Sequence, residues 1–335
     1  MIFAVDAFNL AADRRGMGRY VRGVLAGLQA LGEDDVRLIV RSRRKDGGLA
    51  GEFDYPLIEP RDLRGSPADV VWYPWNGMRF DPRAPSIATI YDAFAFTYPH
   101  KNFIARRREQ NPIRRAARDA NLIVTISHWS AGELQRTLGI APSCIAIVPP
   151  VVEPFWHPVA VKRDSDYFLF VAGPEERKNA PLLFNAFEEA FAGENVELLV
   201  AGHLSPDDAR VFERLHARKR RAAPEDHELR SLYSNAIAAA VPSLAEGYGI
   251  PAIEAMACGA PVIAADAAAL PEACAGAALL VAPEDPIAWR DALRRVYVDE
   301  QLRTRLRGAG LARTAELDPI APARRVLELA RSLAG

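Results

Sequence analysis

Two glutamates on either side of a glycine-rich turn are the residues in this chain best suited to chemistry. Glu246 begins the turn 246–249, and Glu254 follows Glu246 after seven intervening residues. Pro251 suits the first turn of a helix because its missing N–H costs nothing there, and Gly259 suits the position just after the helix end. The pattern therefore predicts a short helix that carries Glu254 about one turn in, with Glu246 on the turn before it.

This arrangement favours a ligand of mixed character. The N-terminus of a helix attracts anions, so a phosphate suits the position above the turn. Carboxylates repel phosphate but accept hydrogen bonds from neutral hydroxyl groups. A nucleotide-sugar has a charged diphosphate between two hydroxyl-bearing ends and fits both requirements. The alternative is that Glu254 is a solvated helix residue and Glu246 a cap that complements the helix dipole.

Two adjacent cations suggest where the diphosphate would bind. Arg177 and Lys178 follow the predicted strand 167–172 and precede the predicted helix 180–192. Cations in such a loop can neutralise a diphosphate and stabilise the charge that develops when it leaves. An exposed charged loop is the alternative interpretation.

The bulk properties indicate a globular protein with two domains. The chain has 335 residues, 50% of them hydrophobic, and a formal net charge of −1. This charge gives no overall attraction to nucleic acid. Cys144, Cys258 and Cys274 are widely spaced, which predicts neither a zinc site nor disulfides and favours the reducing cytoplasm. We expect the N-terminus to form a first strand and not a signal peptide.

The order of elements predicts an α/β protein with two Rossmann-like domains, whose parallel sheets face an inter-domain cleft. Strands and helices alternate twice along the chain, and the proline-rich segment 149–158 separates the two series. We expect an N-terminal domain at 1–155, a C-terminal domain at 156–315 and a C-terminal helix within 316–335 that packs back on the N-domain. The segment 203–229 is charged and poor in apolar residues, so one strand of the second domain is expected to be missing or disordered there.

Several polar residues follow predicted strands of the first domain. Because ligands bind beyond the carboxyl ends of parallel strands, Asp6, Asn76, Asp92 and Ser127 are candidates by position, although each could equally cap a helix or a turn. The loop around Gly16 and Gly18 resembles a dinucleotide fingerprint, but Val21 stands where the third glycine would be, which argues against an oxidoreductase. Asp164-Ser165-Asp166 matches the Asp-x-Asp motif of metal-dependent transferases, but we interpret it as a solvated turn and expect no metal.

A basic helix is predicted near residues 100–118. The segment contains a single acid, Glu109, and seven basic residues, namely Lys101, Arg106, Arg107, Arg108, Arg114, Arg115 and Arg118. The simplest interpretation is a solvated surface helix. The alternative is a patch that contacts anionic lipid or a lipid-diphosphate acceptor at the inner face of the plasma membrane.

The stretch 246–262 resembles the Glu-x7-Glu signature of the retaining glycosyltransferases of family 4, which have the two-domain GT-B fold. Supporting stretches include Gly16 to Tyr20, Val124 to Ser130, Glu176 to Asn179 and Leu270 to Glu272. These stretches extend over nearly the whole chain and look most similar to bacterial mannosyltransferases that build O-antigen and other surface polysaccharides.

The resemblance implies a role for each matching residue. Glu246 would hydrogen-bond the donor hexose, Glu254 the ribose diol, and Arg177 with Lys178 the diphosphate. The remaining donor-site residues implied are Gly247, Tyr248, Gly249, Ile250 and His203. On the N-domain side of the cleft the implied residues are Gly16, Gly18, Arg19, Tyr91, Asp92 and Ser127. No metal or other cofactor is implied.

The implied activity is retaining transfer of a hexose, with GDP-mannose as the best single donor, to a glycan or lipid-linked acceptor. A UDP-sugar transferase of the same fold and a non-catalytic nucleotide-sugar-binding subunit stay open as alternatives. Tyr91-Asp92 stands where the family often has His-Asp, and Pro149-Pro150-Val151 replaces a usual asparagine-glycine turn.

Overall fold

The chain divides into two compact units. The computed structural model describes residues 1–13, 16–42, 47–65, 67–81, 83–160 and 165–335. Unit 1 comprises Met1–Val151 together with Asp318–Gly335, and unit 2 comprises Val152–Leu317. The division after Val151 lies inside the proline-rich segment 149–158, where the chain has no helix or strand.

Unit 1 is built on a parallel sheet. Its described strands are β1 (Phe3–Asp6), β2 (Val36–Ile39), β3 (Leu57–Ile58), β4 (Val70–Tyr73), β5 (Ser86–Thr89), β6 (Leu122–Thr125) and β7 (Ile145–Ile147). They pair in the order β3-β2-β1-β4-β5-β6-β7, and all of these pairings are parallel. The central strands are apolar because helices cover both faces of such a sheet.

Unit 2 repeats the same plan. Its described strands are β8 (Tyr167–Ala172), β9 (Glu197–Gly202), β10 (Arg218–Ala222), β11 (Ala238–Val241), β12 (Val262–Ala265) and β13 (Leu279–Val281). They pair in parallel in the order β10-β9-β8-β11-β12-β13. The winding direction reverses between β1 and β4 in unit 1 and between β8 and β11 in unit 2. Ligands of doubly wound sheets bind outside the strand ends at such switch points.

Helices connect the strands in both units. In chain order the described helices are α1 (Met17–Ala30), α2 (Phe94–Thr97), α3 (Phe103–Asp119), α4 (His128–Leu138), α5 (Ala180–Phe191), α6 (Pro206–Glu213), α7 (Asp226–Asn235), α8 (Ile250–Ala257), α9 (Leu270–Cys274), α10 (Pro286–Val298), α11 (Glu300–Ala315) and α12 (Ala321–Ala334). The predicted α/β class with two Rossmann-like parallel sheets is therefore confirmed.

Strand β10 corrects the expectation that the segment 203–229 lacks a strand. The residues Arg218–Ala222 pair in register with β9, from Arg218 opposite Glu197 to Ala222 opposite Ala201. The strand lies at the edge of the sheet, and its side chains are exposed or half-buried. An edge strand buries little of its surface, and charged residues on it discourage pairing with another chain. The search for apolar runs therefore missed it.

The C-terminal helix α12 packs on α1 within unit 1. The two helices approach so closely that a Cβ atom added at Gly27 would lie 2.5 Å from Ala323 Cβ. Arg331 near the end of α12 also pairs with Glu33, which follows α1. Chain ends distant in sequence thus share one core.

Candidate active site

The loops after β8 and β11 meet at the switch point of unit 2. The backbone N–H of Leu244 donates to the carbonyl of Arg177 at 2.8 Å. In return, Nη1 of Arg177 donates to the carbonyl of Ala245 at 3.0 Å. Because β8 and β11 are neighbours in the sheet, residues about seventy positions apart in sequence come into contact. The sheet order therefore brings together the two motifs that the sequence shows separately.

Glu246 is the centre of this meeting point and is only 7% exposed. Its Oε1 accepts hydrogen bonds from Nζ of Lys178 at 2.7 Å and from Oγ of Ser243 at 2.8 Å. Its Oε2 accepts from Nη1 of Arg177 at 3.3 Å. The sequence placed Glu246, Arg177 and Lys178 in one site, and the structure brings all three together.

The electrostatics of the cluster keep Glu246 ionised. Burial by itself raises the pKa of a carboxyl group, but the positive charges of Lys178 and Arg177 and hydrogen bonds from Lys178 and Ser243 outweigh that effect. The pKa of Glu246 is consequently below its ordinary value. The carboxylate is suited to accept hydrogen bonds from a ligand's hydroxyl groups and not to donate a proton. Nη2 of Arg177 also lies 3.8 Å from Oε1 of Glu175, whose side chain is exposed, so an anionic ligand could replace Glu175 at this cation.

The glycine turn leads directly into α8. Gly249 has a φ of +108°, and a Cβ atom added there would lie 2.8 Å from Leu270 Cδ2. Both facts require glycine at this position. The turn residues Gly247 and Tyr248 are buried, and the helix begins at Ile250. The predicted turn, helix start and helix end are therefore present, with the helix N-terminus directed at the turn.

The other predicted donor-site residues of unit 2 lie on separate elements. Glu254 lies in α8 and is 6% exposed, so the interpretation as a solvated helix residue is wrong. His203 is exposed and follows Gly202, the last residue of β9. A Cβ atom at Gly202 would lie 2.8 Å from the carbonyl oxygen of Ala172, which ends β8.

Two residues of the cluster had no assigned role in the sequence analysis. Ser243 is 1% exposed and holds Glu246, as described above. Asn179 adopts a left-handed conformation, and its Nδ2 donates to the carbonyls of Pro242 at 3.2 Å and Pro283 at 2.9 Å. It therefore ties the cation loop to the ends of β11 and β13. Both residues stand inside or beside the quoted motifs, which was the only sequence signal for them.

In unit 1, the glycine loop approaches α1 closely. Gly16 caps α1 with a φ of +41°. A Cβ atom at Gly18 would lie 2.0 Å from the carbonyl oxygen of Asp13, so this position requires glycine. Arg19 is half-buried in the first turn of α1. Arg14 and Arg15 of this loop, and Asp164 of the Asp-x-Asp spelling, lie outside the described residues.

Asp92 and Ser127, two of the polar residues at the strand ends of unit 1, make cap contacts, which was the alternative interpretation. Asp92 Oδ1 accepts from the N–H of Phe94 at 2.9 Å before α2, and Ser127 Oγ accepts from Ser130 at 2.9 Å at the start of α4. Asn76 Oδ1 accepts from the N–H of Tyr91 at 2.9 Å. Ligand contact by Asp92 or Ser127 stays a prediction.

Tyr91 and Asp6 are buried polar residues of the same region. The Tyr91 ring packs edge-on against Tyr20 at 5.5 Å between centroids. Within the described part of the chain, the Tyr91 hydroxyl and Oδ2 of Asp6 have no hydrogen-bond partner. Asp6 Oδ1 accepts from the N–H of Phe8 at 2.9 Å, which is again a cap contact.

Comparison with known proteins agrees with this geometry. Residues 153–313 match the family "Glycosyl transferases group 1". This stretch contains the whole Glu246 cluster and nearly all of unit 2.

Relatives and solved structures extend the likeness to the rest of the chain. The O-antigen chain mannosyltransferase B of Escherichia coli is 25% identical over 78% of this chain and 75% of its own length. The D-inositol 3-phosphate glycosyltransferase of Frankia alni is 34% identical over 50% of this chain but only 46% of its own length. The structure of Anabaena HepE in complex with UDP-glucose superposes with a TM-score of 0.76 at 13% identity, covering 98% of this chain and 99% of that one. The chain is therefore a glycosyltransferase with the GT-B fold, and over residues 153–313 it is similar to the group 1 family.

Proposed function

We propose that this glycosyltransferase transfers mannose from GDP-mannose, with retention of the anomeric configuration, to a glycan or lipid-linked oligosaccharide. The observation that carries the proposal is the buried Glu246 carboxylate between Arg177 and Lys178, beside a glycine turn that leads into a helix. The two cations match a diphosphate, and the carboxylate matches the hydroxyl groups of a sugar joined to it. The likeness to the E. coli O-antigen mannosyltransferase supports mannose and a surface-glycan acceptor.

Each part of the proposed donor has a group to bind it. Arg177 and Lys178 neutralise the diphosphate and stabilise the charge that grows on it as the glycosidic bond breaks. Glu246 accepts hydrogen bonds from sugar hydroxyls, and Glu254 accepts from the ribose diol. Backbone amides of Gly247, Tyr248, Gly249 and Ile250 face the sugar and phosphate, and His203 contacts the nucleotide side.

The proposed reaction needs no dedicated side-chain base. The acceptor hydroxyl forms its bond to the anomeric carbon on the face from which the diphosphate departs. The bond between that carbon and the phosphate oxygen breaks, and the departing phosphate oxygen takes the acceptor proton. Glu246 stays ionised throughout, as its lowered pKa requires. We propose further that no metal takes part, because the two cations supply the positive charge.

The acceptor is proposed to contact unit 1. Candidate contacts lie at the strand ends and the glycine loop, namely Gly16, Gly18, Arg19, Tyr91, Asp92 and Ser127. Peripheral contact with anionic lipid through α3 would suit a lipid-linked acceptor. No helix among the described residues has the length and apolarity needed to cross a membrane.

A UDP-sugar is the second candidate donor, because the similar fold of HepE was solved with UDP-glucose bound. The deciding experiment incubates the protein with GDP-mannose or UDP-glucose and a lipid-linked oligosaccharide acceptor, with and without EDTA. We expect GDP release and an α-linked product from the α-linked donor, at a rate that EDTA does not change. Turnover of UDP-glucose alone would exclude the GDP-mannose assignment. Nucleotide binding without turnover of either donor would indicate the non-catalytic subunit instead.

A further inference from the structure

Among the described residues that donate to Glu246, Ser243 is the one with no proposed contact with the nucleotide-sugar. Glu246 accepts from three side chains, Lys178, Arg177 and Ser243. The Ser243 hydroxyl must be the donor in its pair, because an ionised carboxylate has no proton to give. At 1% exposure, the Ser243 hydroxyl is shielded from water that would compete for its hydrogen bond.

Glu246 and the diphosphate of the donor would compete for hydrogen bonds from Arg177 and Lys178. In the structure their positive charge is partly balanced by the buried Glu246 and, for Arg177, also by the more exposed Glu175 at 3.8 Å. A diphosphate would draw hydrogen bonds of both cations towards its oxygens, because charge-assisted bonds to phosphate are strong. The Glu246 carboxylate would then lose part of its hydrogen bonding to the two cations while the donor sugar is bound, when its orientation towards that sugar is needed. The Ser243 contact is not subject to this competition.

We propose that Ser243 is a positioning residue, which fixes the Glu246 carboxylate towards the donor sugar while Arg177 and Lys178 bind the diphosphate. This inference rests on the proposed function, since it assigns Ser243 a role within that reaction. Ser243 acts through Glu246 and contacts no substrate atom.

The test compares Ser243→Ala with wild type in steady-state kinetics. A hydrogen bond to a charged group is strong enough that its loss should lower kcat about tenfold. The KM for the donor should stay within about twofold, because the cations remain, and a hydrogen bond to the carboxylate contributes mainly in the transition state. The acid limb of the kcat profile should move to higher pH, because losing a hydrogen bond to the ionised form raises the pKa of Glu246. Ser243→Cys, which has a slightly larger side chain and a weaker donor, should give an intermediate kcat.

Ser205→Ala is the matched control. The Ser205 hydroxyl also donates to a carboxylate three residues later in unit 2, Oδ2 of Asp208 at 2.7 Å. It caps α6 and is not part of the proposed donor site, so kcat and its pH profile should equal those of wild type. A kcat for Ser243→Ala within twofold of wild type, or an unmoved acid limb, overturns the assignment of Ser243 alone.

A second readout does not depend on catalysis. Ser243→Ala should lower Tm at pH 7, and the difference from wild type should shrink as pH falls through the lowered pKa of Glu246, where its carboxylate becomes protonated. The contact contributes stability only while the carboxylate is ionised. A Tm difference that stays constant from pH 7 down to the acid unfolding of the protein would contradict the contact. Absence of sugar transfer by wild type would instead refute the proposed function, and this role with it.

Discussion

At the scale of single residues, Glu246 shows how a buried charge is accommodated. A lone buried carboxylate is costly, and losing one partner of a buried pair is usually more destabilising than the pair is stabilising. Here three donors surround the carboxylate, two of them cations that are themselves partly exposed. The site therefore keeps an ionised acceptor ready without a ligand. The cations retain exposed surface through which an anion can reach them.

Replacing Glu246 should change kcat, whereas replacing Glu254 should change the KM for the donor. Each is proposed to accept hydrogen bonds from the donor, and a hydrogen bond to a charged group contributes about 1.5–3 kcal/mol, equivalent to roughly 10–150-fold. We expect Glu246→Ala to lower kcat by that factor, and Glu254→Ala to raise the KM for the donor by that factor. Steady-state kinetics with the active donor would measure both. Exposed Glu284→Ala is the control and should match wild type. Near-normal constants in both glutamate variants would be inconsistent with the donor site.

Asp6 predicts an unusual dependence of stability on pH. Burial raises the pKa of this fully buried carboxyl from 3.8 to about 7, against the lowering effects of the Phe8 N–H and of Arg79 and Arg41. A raised pKa means that the folded state holds the proton more tightly than the unfolded state. The stabilisation is therefore complete below pH 4 and is lost as pH rises through about 7.

The expected loss is up to about 4 kcal/mol of unfolding free energy. Asp6→Asn keeps an oxygen to accept from Phe8 and does not titrate. Urea unfolding at pH 5 and pH 8 should therefore show a steeper loss of stability in wild type than in Asp6→Asn. Parallel pH dependence in the two proteins would show that Asp6 titrates normally.

At the scale of elements, the pattern of apolar residues predicted most of the helices and strands. Central strands such as β8 and β11 are continuous apolar runs because both faces are covered. Strand β10 could not be found this way, since an exposed edge strand has no buried face to impose a pattern. The contacts of Glu246 with Ser243 and Asn179 with Pro283 were also beyond prediction. They depend on sheet order and rotamer, which residue types alone do not determine.

Helix α3 has the surface expected of a membrane contact. Phe103 and Ile104 in its first turn are 57% and 77% exposed. Arg106 and Arg107 place their guanidinium groups 5.5 Å from the Phe103 ring centroid. Exposed apolar side chains beside arginines suit the headgroup region of an anionic bilayer.

We expect wild type to sediment with phosphatidylglycerol vesicles at low salt and not with phosphatidylcholine vesicles. The variant Arg107→Glu with Arg108→Glu reverses two positive charges of α3. Loss of two positive charges should weaken binding by about 2 kcal/mol, roughly thirtyfold, and the charge reversal should weaken it further. The matched control reverses two exposed arginines of β10, Arg218→Glu with Arg221→Glu, and should sediment as wild type does. Equal sedimentation of both double variants would exclude α3 as the contact.

At the scale of the whole molecule, the C-terminal end of the chain belongs to the same unit as the N-terminal end. After completing unit 2 at Leu317 the chain adds α12 to unit 1, where Pro322, Ala323, Val326, Leu327, Leu329 and Ala330 are buried. Helix α12 packs on α1, the helix that follows the glycine loop. The stability of α1, and of the glycine loop that precedes it, therefore depends on the last helix of the chain.

Two glycines of α1 test this packing as a matched pair. Gly27→Ala would place its Cβ 2.5 Å from Ala323 Cβ and should destabilise the protein by about 1–3 kcal/mol. Gly23→Ala on the same helix has nothing within 4 Å and should stabilise it by about 0.5–1 kcal/mol. Thermal unfolding would measure both changes. A stabilising Gly27→Ala would show that α12 does not pack there.

The central claim is that unit 2 binds a nucleoside diphosphate through the cations beside Glu246, and calorimetric titration with GDP and UDP tests it most directly. Wild type should bind one of them, GDP more tightly if the donor is GDP-mannose. Lys178→Ala should weaken that binding at least about tenfold. Arg218→Ala, which removes an exposed cation of β10, should leave it unchanged. Failure of wild type to bind either nucleotide, or equal affinity of Lys178→Ala and wild type, would contradict the claim.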